Sequence, residues 1–134
     1  MRQCAPEPLS KLGFAGPNRL PPQSQGIGRL TLGENTADNG GLRIAHMALM
    51  DTLAGKEQAR IDGFSPEQRF FLGWAQVWCQ NITAENLRLR AQTDTHSPGE
   101  FRVNGVVSNM VEFQRAFACR ANQPMVRGPA CRVW

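Results

Sequence analysis

The sequence has no long apolar run, no cluster of basic residues and no pair of closely spaced cysteines. Each absence argues against one class of protein. The net charge is +4, but only two of the 15 basic residues are lysines, Lys11 and Lys56, and the charges are scattered, so we expect no nucleic-acid partner. No segment has the length of a membrane span, so we expect no membrane segment. The first fifteen residues lack the apolar stretch of a signal peptide, so the sequence as written predicts no export signal.

The four cysteines are well separated, at Cys4, Cys79, Cys119 and Cys131. Without a C-x-x-C pair, neither a zinc knuckle nor a thioredoxin motif is supported. Such spacing fits either the disulfides of an exported protein or buried thiols. The cysteines and the lack of an export signal therefore point in opposite directions, and the sequence leaves the compartment open.

The sequence predicts an irregular segment followed by helices. Residues 5–30 carry five of the nine prolines and show no sustained periodicity. A helix is predicted from Gly33, and its apolar stripe consists of Leu42, Ala45, Leu49 and Leu53. Gly40 and Gly41 within it suggest that another segment packs closely on the backbone.

Three more helices are predicted downstream of a break at residues 55–63. The stretch Ser65-Pro66-Glu67-Gln68 has capping-box spacing, and the helix that follows is apolar over so wide an arc that it should be largely buried. Thr83 should cap a third helix that ends near Gln92.

The stretch around Pro98, Gly99 and Gly105 should break helical structure and give a loop with a short extended segment near residues 101–107. Asn109 with Glu112 has the spacing of a capping pair for the last helix. The fold class predicted is mainly α.

Two acids near the start of the first helix could carry chemistry. Glu34 and Asp38 are four residues apart, so on a helix they share one face. In one interpretation they are the acids that a helix dipole favours near the first turn. In the other, one carboxylate binds a metal ion and the other orients a neighbouring ligand of that ion.

The histidines do not complete a metal site. The only two are His46 and His96, and neither belongs to an H-E-x-x-H motif, whereas a catalytic zinc needs three protein ligands. His96 and Arg102 are either groups for oxyanion and carboxylate binding or an ordinary loop histidine and a surface arginine. His46, in the middle of a predicted helix, is expected to be an ordinary surface or interface histidine.

Several long blocks together identify a family. The sequence contains GENTADNGGLRIA, DGFSPEQRFFLGWAQVWCQ, TDTHSPGEFRVNGVVSNMVEF, AFACR and a terminal CRVW. In this order they closely resemble the C-terminal end of the neprilysin family of zinc metalloendopeptidases, from about residue 28 to residue 134. The resemblance implies the helical C-terminal portion of a zincin-type catalytic domain over residues 28–134, preceded by a divergent, irregular leader at residues 1–27.

The resemblance also implies roles for the candidate residues. Glu34 resembles the family's third zinc ligand, and Asp38 resembles the carboxylate that orients a zinc-bound histidine. His96 resembles the group that stabilises the oxyanion of the tetrahedral intermediate, and Arg102 the side chain that binds the substrate backbone. The implied cofactor is zinc, which polarises the peptide carbonyl and activates a water.

The sequence also departs from the family. The family's H-E-x-x-H motif and its larger N-terminal helical domain are absent from this sequence. Val111 stands where the family's N-M-P-E-F would have proline. The resemblance implies a disulfide between Cys4 and Cys131, whereas family members pair cysteines at the positions of Cys79 and Cys119 with partners in the absent region.

Two functions remain open. The first is a C-terminal fragment of a zinc metalloendopeptidase that hydrolyses oligopeptides, inactive alone, with peptide substrates and the absent N-terminal part as partners. The parent enzyme would be exported. The second is a non-catalytic module, derived from that family, that binds peptides or a protein partner.

Overall fold

The described part of the chain is helical. A computed structural model describes residues 30–128 and 130–133. Within them lie five helices: α1 Leu32–Leu53, α2 Pro66–Val77, α3 Ala84–Thr93, α4 Gly99–Val107 and α5 Val111–Ala116. These residues contain no β-strand beyond an isolated bridge between Ile61 and Phe64. The prediction of a mainly α fold is confirmed, while the predicted leader at residues 1–27 lies outside the described residues.

The buried face of α1 differs from the predicted apolar stripe. Leu42 is buried, but Ala45 is exposed, and the residues buried with Leu42 are Asn39, Gly40, Arg43 and His46. A side chain at Gly41 would meet nothing within 4 Å, so the prediction of close packing there is wrong. The face is buried although largely polar because its side chains find partners on other helices.

His46 was predicted to be a surface or interface histidine; it is one of these buried polar residues, so the surface alternative is wrong. Its Nε2 lies 2.7 Å from Oε1 of Glu67 on α2, and its ring stacks on Phe71 with centroids 5.5 Å apart. Arg43 similarly pairs with Glu112 at 3.1 Å. Carboxylates from α2 and α5 thus pair with His46 and Arg43 on the polar face of α1, and periodicity alone does not reveal them.

Helix α2 begins with the predicted cap. Ser65 accepts a hydrogen bond from the backbone N–H of Gln68, whose side chain bonds back to the Ser65 N–H, and Pro66 is the first helical residue. The predicted burial is wrong: only Phe71 of this helix is buried, while Leu72 and Val77 are exposed. Among the described residues α2 contacts α1, α4 and α5, which cover one side of it.

Helix α4 occupies the segment that the sequence predicted to be extended. It spans Gly99–Val107 because Pro98 precedes the first helical residue, where its missing N–H costs nothing. Gly105 costs about 1 kcal/mol inside a helix. Burial of Val106 and Val107, worth about 1.5–3 kcal/mol each, offsets that cost.

The ends of α3 and α5 give one confirmed and one wrong prediction. Thr83 caps α3, accepting from the backbone N–H of Asn86, and the helix runs to Thr93. The predicted Asn109–Glu112 cap is wrong, because the N-cap of α5 is Met110 without a side-chain bond. The Asn109 side chain instead accepts a hydrogen bond from the backbone N–H of Cys131 at 2.9 Å, which holds the backbone at Cys131 against the start of α5.

A single core cluster joins the helices that carry the candidate site. Its buried members are Leu42, Phe71, Val106, Val107 and Met110. Phe113 meets Phe71 edge-on with centroids 5.4 Å apart, and Trp74 also packs on the cluster. Because α1 and α4 both contribute to this core, their polar faces lie side by side next to it. Within residues 30–128 and 130–133, none of the helices combines the length and the hydrophobicity that a membrane span requires.

Candidate active site

The start of α1 presents two carboxylates, one turn apart, in different environments. Glu34 lies in the first turn, and its side chain is 43% exposed. Asp38 follows one turn later, and its side chain is only 9% exposed. The exposed carboxylate is thus available to a ligand, whereas the buried one needs a partner within the chain.

Glu34 contacts His96. Its Oε2 lies 3.2 Å from Nε2 of the imidazole, which belongs to the loop between α3 and α4. At the other ring nitrogen, Nδ1 lies 2.9 Å from Oδ1 of Asp94, which also accepts a bond from the His96 backbone N–H at 2.8 Å. Asp94 therefore fixes the orientation of the ring and leaves Nε2 on the side of α1.

Asp94 is itself held by several donors. The backbone N–H of His96, the guanidinium of Arg90 and the His96 ring together lower the pKa of Asp94 from 3.8 to about 2. Arg90 donates from both Nε and Nη2, at 2.9 and 2.8 Å. The carboxylate is therefore ionised at neutral pH, and His96 Nδ1 carries the proton that it accepts.

Asp38 makes a bidentate pair with Arg102 of α4. Arg102 donates from Nε to Oδ2 at 2.5 Å and from Nη2 to Oδ1 at 2.6 Å. The two side chains are 9% and 10% exposed, so water screens the pair weakly. The third guanidinium nitrogen, Nη1, makes no hydrogen bond to another described residue, and it remains a donor for a ligand.

The structure brings all four candidate residues together. Glu34 of α1 contacts His96 in the loop before α4. Asp38, one turn later on α1, contacts Arg102 of α4. Asp94 was missed by the sequence reasoning, although an aspartate two residues before the histidine is a known side-chain-to-backbone pattern.

The described cysteines differ in their environments. Cys131 is buried, but its predicted partner Cys4 lies outside the described residues, so that disulfide stays a prediction. Cys79 and Cys119 are free thiols.

A complete zinc site is not formed by the residues described. Residues 30–128 and 130–133 contain no group of three histidine, cysteine or carboxylate side chains that could hold a metal. Glu34 fits the chemistry of one ligand, because its carboxylate is half exposed, but a catalytic zinc takes three protein ligands. The other two would have to come from outside these residues.

Comparison with known proteins identifies the family. The model of peptidase family M13 matches residues 18–133. The chain belongs to this family of metallopeptidases, the neprilysin family. It is 46% identical to Neprilysin-1 of Caenorhabditis elegans over 112 residues, which are 80% of this chain and 15% of that protein. It is also 46% identical to Endothelin-converting enzyme 1 of Mus musculus over 110 residues, 80% of this chain and 14% of that protein.

Solved structures agree with the sequence comparison. The chain is similar to the zinc metalloprotease Zmp1 of Mycobacterium tuberculosis in its open state, with a TM-score of 0.76 and 40% identity. That match covers 90% of this chain and 18% of the other. The inhibitor complex of Zmp1 gives a TM-score of 0.76 at 38% identity and covers 96% of this chain. The described helices are thus a helical part of a zincin catalytic domain, and the chain spans less than a fifth of the proteins it matches.

Proposed function

We propose that this chain carries part of the active site of a zinc-dependent metalloendopeptidase that hydrolyses peptide bonds in oligopeptides. One observation carries the proposal: Glu34 and Asp38 on α1 contact His96 and Arg102 on the facing segment. These are the four residues to which the family resemblance gives chemical roles. If these four residues had lain at separate positions on the surface, they could not have formed a common site.

Each side chain has a distinct part in this proposal. Glu34 would hold the zinc ion, which supplies a Lewis acid and an activated water when bound. His96, oriented by Asp94 and protonated on both ring nitrogens, would donate from Nε2 to the oxyanion that forms on the peptide carbonyl. Arg102 would donate from Nη1 to a substrate backbone carbonyl, since Asp38 occupies its other two nitrogens. Each Asp38 oxygen keeps a second lone pair for a zinc-bound imidazole.

The remaining zinc ligands and the general base would come from an upstream part of the enzyme. The sequence contains no H-E-x-x-H motif, and the chain covers 14% to 18% of the proteins it matches. Ile44 and Met47 on α1 are exposed apolar side chains that an upstream helix would cover. We therefore expect the chain alone to be inactive, and the parent enzyme to be exported, as its cysteines suggest.

The second candidate, a non-catalytic peptide-binding module, is favoured by a cleft beside His96. The cleft has a volume of about 400 Å³ and is lined largely by apolar residues, among them Ile82, Leu87 and Phe101. A module of this kind would bind peptides without zinc and without an upstream part. Calorimetric titration of the chain with a peptide library, in the presence of a chelator, distinguishes it from the peptidase fragment.

A chimera tests the main proposal. Residues 28–134 of this chain would replace the matching part of the M. tuberculosis zinc metalloprotease, and hydrolysis of a fluorogenic peptide would be measured. The chimera should cleave the peptide, Glu34→Ala should abolish cleavage, and the control Glu57→Ala, an exposed glutamate away from the site, should not. Glu34-dependent cleavage by the isolated chain, or cleavage by the Glu34→Ala chimera, would contradict the proposal.

A further inference from the structure

We propose that Trp78 is a positioning residue for Arg102. The face of its indole ring holds the guanidinium in the orientation that leaves Nη1 free to bind a substrate carbonyl. The inference rests on the proposed function, because it concerns the group assigned there to bind the substrate backbone. It adds Trp78, the C-cap residue of α2, to a site that otherwise consists of α1, α4 and the loop before α4.

Arg102 is held at three points. Asp38 accepts two hydrogen bonds from Nε and Nη2. The guanidinium carbon lies 3.9 Å from the centre of the Trp78 ring, within the range of a cation–π contact. The indole N–H of Trp74 donates to the Arg102 carbonyl oxygen at 3.3 Å. Two tryptophans one helical turn apart therefore hold both ends of this residue, the backbone and the guanidinium.

The ring contact supplies a restraint that Asp38 does not. Two hydrogen bonds along one edge of the guanidinium fix that edge but allow the plane to tilt about it. Nη1 is the nitrogen outside that edge, so tilting displaces it most. The flat face of Trp78, at van der Waals distance, opposes the tilt.

Trp78 is itself fixed against α4. Its ring meets Trp74 edge-on, with centroids 5.7 Å apart. A Cβ atom at Gly99 would lie 2.7 Å from the Trp78 carbonyl oxygen, so the first turn of α4 lies directly on the Trp78 backbone. Arg102 follows Gly99 by one turn, which places the guanidinium at the ring of the same tryptophan.

Trp78 can be replaced without removing part of the core. Among the described residues, the side chains that pack on the core cluster include Trp74 but not Trp78. A substitution at Trp78 therefore separates a positioning role from a role in folding.

Hydrogen exchange of the Arg102 Nε–Hε group measures the restraint in the chain as it is, without zinc or substrate. The signal is identified in a spectrum of arginine-labelled protein by its loss in Arg102→Lys. In Trp78→Leu, which keeps an apolar side chain without an aromatic face, we expect exchange roughly tenfold faster. In Trp78→Phe, which keeps a face, it should stay within about threefold of the original chain.

Backbone amide exchange in α4 serves as the control and should not change in either variant. Unchanged Arg102 exchange in Trp78→Leu would overturn the proposal, because Asp38 alone would then hold the guanidinium. Equal acceleration in the Phe and Leu variants, or loosening of the α4 backbone, would also overturn it. An inactive chimera would count against the proposed function and leave these exchange rates unaffected, so the two failures are distinguishable.

Discussion

Replacement of Arg102 by methionine would leave the Asp38 carboxylate buried without the two hydrogen bonds that it accepts. The two side chains are 10% and 9% exposed, so little water can take the place of the guanidinium. Removing one partner of a buried pair costs about 3–5 kcal/mol, a large share of the roughly 5–15 kcal/mol that stabilises a typical domain. We expect a loss of about 3 kcal/mol, the lower value, because both side chains keep slight contact with solvent.

Urea unfolding followed by circular dichroism measures this loss. The matched control is Arg88→Met, whose partner Glu85 lies on the same helix and whose pair is 61% and 79% exposed. That control should change stability by less than about 0.5 kcal/mol. The double variant Asp38→Asn/Arg102→Met should lose less than the sum of its single variants, because neither charge is then left alone. Equal losses in Arg102→Met and Arg88→Met would refute the reasoning.

Three further predictions concern the elements around the site. The ionised Asp94 stabilises the fold above about pH 4, and this contribution is lost as the pH falls towards its folded pKa of about 2. In Asp94→Asn the unfolding free energy should therefore fall less steeply with decreasing pH in that range. An unchanged pH dependence would contradict this. Val111→Pro, at the exposed first residue of α5, should raise the unfolding free energy by about 0.4–1 kcal/mol in urea titrations, and a loss contradicts it. Gly99→Ala should lower the unfolding free energy, measured by thermal unfolding, by about 1–3 kcal/mol, because its Cβ would lie 2.7 Å from the Trp78 carbonyl oxygen. The control Gly73→Ala, whose Cβ would meet nothing within 4 Å, should not lower it.

Local chemistry was the part of the fold that the sequence predicted well. The caps at Ser65 and Thr83 depend on residues within one turn, and the structure contains both. The extended segment predicted near residues 101–107 was wrong because Pro98 begins a helix as readily as it ends one. The spacing of Gly99 and Gly105 says nothing about the α2 surface on which that helix packs.

Polar partners distant in sequence account for the other errors. His46 was predicted to be a surface or interface histidine, and its burial was not foreseen because its partner Glu67 is 21 residues away on another helix. The resemblance indicated the four candidate site residues, and their contacts join positions about 60 residues apart. The pairing of Asp38 with Arg102 follows from the packing of α1 against α4, which no local pattern encodes.

The central claim is that Glu34 supplies one protein ligand to a catalytic zinc when an upstream part completes the site. Zinc content of the chimera, measured by mass spectrometry after dialysis against a weak chelator, tests this most directly. We predict about one zinc ion per molecule in the unaltered chimera and in Glu57→Ala, and loss of the ion in Glu34→Ala, because two histidines alone fall short of the three protein ligands of a catalytic site. Full zinc content in Glu34→Ala would contradict the claim.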